Sequence, residues 1–446
     1  MEKLFKEFNA VSYSEWLEKI QKDLKGKPLE ILDNQLESDI EIKAYHHPEH
    51  YQLNDADFLR NLTKETADWK IRTEFLASDS NNLVLNYLNE GVNSLGLVYT
   101  STEQFQEQTK EVMFEHIDAD IRFESSATAC EFEGTSTQIL NFDVIGMNAK
   151  KGNWNLSLDD FYVFFQKQSK HKTLWISGYN YGWSGASTAL ELGLSLAHLN
   201  EYIHLLRSKD VSLEEINNKL VVELSVNDNY FLNIAKFRAI RSLIALLFEG
   251  YDSDYSGKGI QLIGKTNLRH LCVNDRNTNL LRQTTQCMSA IIGGCDTVTV
   301  DTLRNADGSP VENERRLAKN IQHILKEESY LDKVIDASAG AYAIENLTDQ
   351  LIEKAWNIFL ELEKKNGLIA AIKTNWVTQQ IENDRKRMTE FLNSEKSTLL
   401  GINKFQSTLE DWTAIESHQS SGSGEFEALS EFRLESVYKQ KELSNG

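Results

Sequence analysis

Short apolar runs recur along the middle of this chain at spacings that alternate with longer, helix-patterned segments. The runs are SLGLVYT at 94–100, DIRFES at 120–125, ILNFDVI at 139–145, TLWISGY at 173–179, LVVELSV at 220–226, IQLIGKT at 260–266, DTVTVDT at 296–302 and KVIDAS at 333–338. Their β-branched content and length predict strands. Between them, Ile240, Leu243, Ile244 and Leu247 fall on one helical face, as do Leu317, Ile321, Ile324 and Leu325. Strand–helix alternation of this kind predicts a parallel sheet with crossover helices, and eight strands suggest a closed (β/α)8 TIM-type barrel. A doubly wound open sheet would show the same alternation, so the count alone does not choose between them.

The two ends carry different patterns. Residues 1–45 predict an extended or helical arm, with Ser12 and Glu15 spaced as a capping box and Trp16, Leu17, Ile20 and Leu24 at helical intervals. The polar stretch YHHPEHYQLNDADF comes next and opens a body over 46–346. From 347 to 446 the reading is a C-terminal helical region and tail: Leu351, Ala355, Ile358, Phe359 and Leu362 continue a stripe, and SHQSSGSGE is linker-like. Ser212 and Glu215 mark another helix start.

Composition narrows the functional classes. The 446 residues are 41% hydrophobic and 26% charged, with a formal net charge of -20 that disfavours nucleic acid and anionic membrane as partners. No apolar run reaches a membrane span, and MEKLFKEFNAVSYSEW lacks a signal-peptide core, so a cytoplasmic location is expected. Cys130, Cys272, Cys287 and Cys295 form no CxxC pair and read as reduced, mostly buried thiols, with neither a disulfide framework nor a metal site expected.

The most specific stretch is Arg315 to Leu351, RRLAKNIQHILKEESYLDKVIDASAGAYAIENLTDQL. Within it, Arg316 to Gln322, Lys326 to Ser329, Val334 to Tyr342 and Asn346 to Thr348 resemble, in order and spacing, the methylmalonyl-CoA mutase family's RLARNTQ, QEES, VxDPxGGSY and SLT. LLGINKFQ at 399–406 is similar to the family's IVGVNKYQ, and IAKFR at Ile234 to Arg238 to IAKMR. The resemblance implies the closed barrel rather than the open sheet.

It also implies a working end at the C-terminal ends of the strands, where this chain departs from the family. SGYN at Ser177 to Asn180 stands where catalytic members resemble SGYH, whose histidine is implied to hydrogen-bond the migrating thioester carbonyl; Asn180 donates a hydrogen bond but is no acid near neutral pH. Asn218 to Glu223, including Lys219, replace a stretch like PRLSFF. Ile263 to Asn267, with Lys265, replace HCQTS, and Gly293 to Asp301, with Asp296, replace GGTQSLHTN. Phe142 to Gly146 stand against TIQND, and the arginine implied to clamp the substrate carboxylate has no clear match. Tyr179, Asn180, Lys219, Ile263, Lys265, Asp296 and Asp301 are therefore expected to mark a degenerate substrate pocket, with no catalytic residue and no metal ligand.

The family's cobalamin-binding DxHxxG motif does not occur. With it missing, the resemblance implies a small, non-catalytic subunit that binds no cobalamin itself. Adenosylcobalamin and the acyl-CoA would be handled by a large catalytic subunit, in a heterodimer contacted through the arm. One alternative is a substrate-binding subunit of an acyl-CoA mutase that borrows a separate cobalamin protein. Another is a repurposed barrel that binds a different small molecule.

Other features carry plainer readings. His46, His47 and His50 read as a polar patch, Asp252 and Asp254 in GYDSDYSGKG as a solvated turn, and Gly293 with Gly294 as a helix stop. Trp175, Phe161, Tyr162, Phe164 and Phe165 read as core.

Overall fold

The computed structural model describes residues 11–37, 40–47, 49, 64–133, 138–255, 257, 259–273, 276–303, 311–405 and 424–438. An N-terminal hairpin pairs β1 (Asn34–Glu37) with β2 (Ile40–Ile42). Eight parallel strands come after it: β3 (Lys70–Glu74), β4 (Ser94–Tyr99), β5 (Asp118–Phe123), β6 (Gln138–Asn141), β7 (Leu174–Ser177), β8 (Leu220–Val226), β9 (Gln261–Thr266) and β10 (Thr297–Thr299). Each pairs with its sequence neighbours, and β10 returns to β3. The remaining seam, β6 to β7, closes through a parallel bridge from Ile139 to Lys172, with Leu140 N–H donating to the Lys172 carbonyl at 2.8 Å. This is the expected α/β barrel, ringed by helices.

Two strand expectations are corrected. KVIDAS at 333–338 is not a strand: a short 3-10 turn, Leu331–Lys333, enters it from Tyr330 at φ 55°, and Val334 and Ile335 are exposed. β3 occupies the place between β10 and β4 that this run would have needed. β3 is absent from the sequence-based strand set because its inward positions are Lys70, Arg72 and Glu74, leaving only Ile71 and Thr73 to show a strand pattern. The run at 139–145 is also cut short, since Asp143 caps a helix over Val144–Lys151 by accepting from Gly146 N–H at 3.0 Å.

Inside the barrel, alternate residues build layers. Ile139, Trp175, Val221 and Ile263 make an apolar layer in its lower half. Above them the interior is charged, and the strand backbones make room for it. A Cβ on Gly96 would lie 2.3 Å from an Arg72 guanidinium nitrogen, so a glycine in β4 lets that side chain cross. The outward faces pack on the helices: Leu95 and Leu97 of β4, Ile121 and Phe123 of β5, and Val222 and Leu224 of β8 are all buried in the main core.

The family-like stretch works as a clamp around the barrel. Arg315 bonds Asp79 at 3.1 Å and lies over the Phe75 and Tyr87 rings, while Lys319 pairs with Glu90. Asp336 and Glu345, either side of a turn with Gly340 at φ 77°, both take Arg238 of the helix Tyr230–Tyr251. Two helix residues back, Lys236 pairs with Glu191 at 2.9 Å and donates to the Ser225 carbonyl at 2.6 Å. The IAKFR likeness therefore marks two buried cations that hold helix to helix and helix to strand.

The N-terminal hairpin docks on the body. Glu37 accepts from Thr188 N–H and Oγ1, capping the helix Thr188–Arg207, whose own Ser187 makes no side-chain cap. Preceding it, the helix Tyr13–Asp23 has the expected Ser12–Glu15 capping box, but no residue of that helix is buried.

Candidate functional site at the barrel mouth

The C-terminal ends of the strands converge on a mouth lined by charge. β7 ends at Ser177 and turns through Gly178, where a Cβ would lie 2.4 Å from Ser195 Oγ, into a short helix over Tyr179–Trp183. Lys265 near the end of β9 stands 4.7 Å over the Tyr179 ring and bonds Glu74 at 2.8 Å, with Asp301 at 3.6 Å. Glu74 also meets Arg72 at 3.0 Å and Arg122 at 3.6 Å. Arg72 makes a bidentate pair with Asp120 at 2.6 and 2.8 Å and a bond to Thr299 Oγ1 at 2.7 Å. An ion-pair lattice thus spans β3, β5 and β9, and the Thr299 hydroxyl joins β10 to it.

The electrostatics derive from that lattice. Burial alone would raise the Glu74 carboxyl, but Lys265, Arg72 and Arg122 outweigh it and hold it well below the usual carboxylate range. Arg72 is likewise held firmly charged: burial opposes its charge, and Asp120 and Glu74 overcome it. Glu223 on β8 differs. It is buried, Lys265 and Arg72 offset only part of the desolvation, and its carboxyl is pushed up, with Oε1 lacking a partner. Lys150 stands 4.7 Å over the Trp183 ring, and although its side chain reaches solvent, the protein packed around it, then the neighbouring Arg122 and Lys265, act to lower its ammonium.

Of the residues singled out in the sequence, Tyr179, Asn180, Lys265 and Asp301 come together at this mouth. The other three do not. Ile263 belongs to the apolar layer below it. Lys219 precedes β8 at the far end, donating to the Gln168 carbonyl at 3.3 Å with its Nζ 4.3 Å from the Phe165 ring centre. Asp296 precedes β10 at the same far end, held by Arg241 at 2.9 Å and Leu262 N–H at 2.7 Å.

A second polar cluster beneath Asn180 has no counterpart among the sequence-predicted residues. Asp143, after β6, accepts from Ser177 N–H at 3.2 Å, Tyr202 OH at 2.8 Å and His198 Nε2 at 2.9 Å, and Tyr181 OH lies 3.0 Å from His198 Nδ1. All four side chains are buried. The partners lie 34 to 59 residues from Asp143, so although Asp143 falls in the Phe142 to Gly146 stretch set against TIQND, nothing local joins it to them. Burial works to raise its carboxyl, yet His198 and the surrounding donors bring it below the usual range. A depressed folded pKa stabilises above the unfolded value and is lost as pH falls through the folded one. Asp143→Asn, which turns an amide donor toward at least one N–H or O–H, is expected to cost about 2–3 kcal/mol at pH 7. Urea denaturation should show that deficit shrinking below about pH 4, where the wild type loses the same contribution; a deficit independent of pH would contradict this assignment.

A C-terminal strap crosses the mouth. Phe426 and Leu429 N–H donate to the carbonyls of Gly152 and Ala149, Phe432 N–H to that of Trp183 and Leu434 N–H to that of Arg269, so residues 424–438 run over the loops after β6, β7 and β9. Arg385 ties it down through the Ser184 and Ser430 carbonyls, each at 2.6 Å.

The plainer features take their places. Asp252 forms a turn, its Oδ1 accepting from Asp254 N–H at 3.0 Å. Gly294, at φ 92°, ends a helix. Trp175, Phe161, Phe164 and Phe165 are buried, and Tyr162 is partly so. His47 lies among Tyr13 and Tyr45, whereas His50 falls outside the described residues. Among the described residues no three His, Cys, Asp or Glu side chains gather as metal ligands would, and no helix is long and apolar enough to cross a membrane.

Comparison with known proteins places these features. The profile of the family described as "Methylmalonyl-CoA mutase" matches residues 150–442. Among curated relatives, a "Methylmalonyl-CoA mutase small subunit" from Porphyromonas gingivalis is 27% identical over 96% of this chain and 78% of its own length. A protein of the same description from Streptomyces virginiae is 34% identical over 52% of this chain, and a "Methylmalonyl-CoA mutase" from Rhizobium meliloti 28% identical over 54%. The matched part spans only 38% and 34% of those two longer proteins.

Proposed function

Because the chain belongs to the methylmalonyl-CoA mutase family, we propose that it is the small, non-catalytic subunit of a heterodimeric, adenosylcobalamin-dependent mutase interconverting methylmalonyl-CoA and succinyl-CoA. In this reading a larger partner handles the acyl-CoA and the cobalamin, residues 1–45 contact that partner, 46–346 form the mutase-like barrel and 347–446 the C-terminal region. The pair works in the cytoplasm. The descriptions of the Porphyromonas and Streptomyces relatives support the subunit assignment.

The observation that carries the non-catalytic reading is the lattice joining Arg72, Glu74, Asp120 and Lys265. Arg72, Asp120 and Lys265 are buried, Glu74 is partly so, and the four neutralise one another in the interior beneath the mouth. A substrate entering there would have to break buried ion pairs, and leaving one partner unpaired costs about 3–5 kcal/mol. Asn180, in the short helix after β7, offers no acid.

Among the described residues, those at the mouth do not fit cobalamin ligation either, which calls for an accessible imidazole. At the mouth His198 is fully buried with both ring nitrogens engaged by Asp143 and Tyr181. His270 commits Nε2 to Asp228 at 3.0 Å, and its Nδ1 is buried. No step of the reaction is therefore assigned to these residues.

The test is turnover. Wild type and Asn180→His, each given a competent cobalamin domain and methylmalonyl-CoA, are expected to form no succinyl-CoA. One restored general acid contributes roughly 10² to 10⁴ in rate, but it does not clear Lys265 and Glu74 from the interior, and groups acting as a unit do not add independently. Conversion by either protein would replace the non-catalytic reading with that of a substrate-binding subunit using a separate cobalamin protein.

A further inference from the structure

At the opposite end of the barrel, the N-terminal ends of the strands frame a cavity of about 500 Å³, within the size range of small-metabolite sites. Lys70 of β3, Asp118 of β5, Lys172 ahead of β7, Gln261 of β9 and Thr297 of β10 line it. Some of the charge around it is already committed: Arg241 to Asp296 at 2.9 Å, and Asp68 to Lys326 at 2.5 Å. Lys70, Lys172, Asp118 and the exposed Glu65 are not. Among the described residues their side chains make no ion pair or hydrogen bond.

The Thr297 hydroxyl is the second, independent observation. It is 1% exposed, points to the barrel interior with Thr299, and has no hydrogen-bond partner. A buried hydroxyl left without one costs about 1–3 kcal/mol. Burial also works against the Lys172 ammonium, which Asp296 and Asp118 only partly support. Two uncommitted ammonium groups and a free hydroxyl donor suit an oxyanion. Asp118 in the same cavity would repel a bare anion but accept a hydrogen bond from a ligand hydroxyl.

We propose that this cavity binds a small hydroxylated oxyanion, with Lys70 and Lys172 as counter-cations, Thr297 donating to an anionic oxygen and Asp118 accepting from the hydroxyl. A phosphate ester and a hydroxy-carboxylate share that chemistry. Isothermal titration of the purified chain with glycerol 3-phosphate and with glycerate distinguishes them, and inorganic phosphate serves as the bare anion. Saturable binding of one hydroxylated probe is expected, tighter than that of inorganic phosphate. Lys172→Gln should weaken it at least about tenfold, as loss of a desolvated counter-cation does, and Thr297→Val should weaken it less. Asp118→Asn should narrow the preference over inorganic phosphate. Lys386→Gln, an exposed lysine elsewhere, should change nothing. No saturable binding of either hydroxylated probe up to about 10 mM, or equal affinity in Lys172→Gln, would overturn the proposal.

Discussion

Arg238→Met is expected to lower the unfolding free energy by about 3–5 kcal/mol, the cost of removing one partner from a buried ionic cluster. Arg238 is 1% exposed and holds two carboxylates at once, Asp336 and Glu345, the latter at 2.7 Å. Methionine fills much of the same space, so the loss is electrostatic rather than a cavity. Glu345 would keep only the Gly340 N–H, at 2.9 Å, as compensation. Removing one of the two stranded charges should return part of the loss, so Arg238→Met with Glu345→Gln is expected to be more stable than Arg238→Met alone. Equilibrium urea denaturation of the wild type and the two variants measures this directly. A loss under about 1 kcal/mol for Arg238→Met would mean that the clamp adds little beyond packing.

That clamp also explains why the stretch around 315–351 is the most readable part of the chain while its local structure is not. Its charged residues contact Glu90, Asp79 and Arg238, and a match of residue types does not state whether the backbone is a strand or a turn. Val334 and Ile335 look like a strand by composition, yet their side chains face solvent. The reverse holds for β3, whose Arg72 and Glu74 look like surface residues until the barrel closes and Asp120 and Lys265 arrive from other strands. Burial of charge depends on partners distant in sequence, and hydrophobic periodicity does not see them.

The same limit separates the site residues. Tyr179, Asn180, Lys265 and Asp301 are legible because each follows or ends an apolar run, and the ends of parallel strands form the mouth. Lys219 and Asp296 each precede a strand by one residue. A stretch aligned to a family motif straddles its strand, so membership in the motif does not say which end of the barrel a side chain reaches. Asp143 and His198, 55 residues apart, have no local pattern to join them.

Altering the apolar face of the N-terminal helix, in the double variant Trp16→Ala with Ile20→Ala, is expected to weaken association with the proposed larger partner at least about 100-fold, since buried aromatic anchors each contribute about 2 kcal/mol or more at interfaces. The helix Tyr13–Asp23 is capped and amphipathic, yet none of its residues is fully buried: Trp16, Leu17 and Ile20 are only partly covered. Its neighbours are the Trp16–Tyr45 stack at 4.5 Å and the Tyr13–Trp16 pair at 5.7 Å. A helix of 11 residues is marginal by itself in water, and an apolar stripe that is only partly covered gains stabilisation by covering another surface. The hairpin after it is anchored separately: Glu37 caps the helix Thr188–Arg207, and the Glu41 backbone exchanges hydrogen bonds with Gln350. The double variant leaves those anchors in place. It should therefore keep the melting temperature of the isolated chain within a few degrees, because a ΔΔG of about 1 kcal/mol shifts large domains by only about 2–4 °C. Titration of the co-expressed partner against wild type and variant, with melting followed in parallel, separates the two effects. Unchanged affinity would show that the arm is not the contact surface. A large drop in melting temperature would instead place the stripe in the chain's own fold.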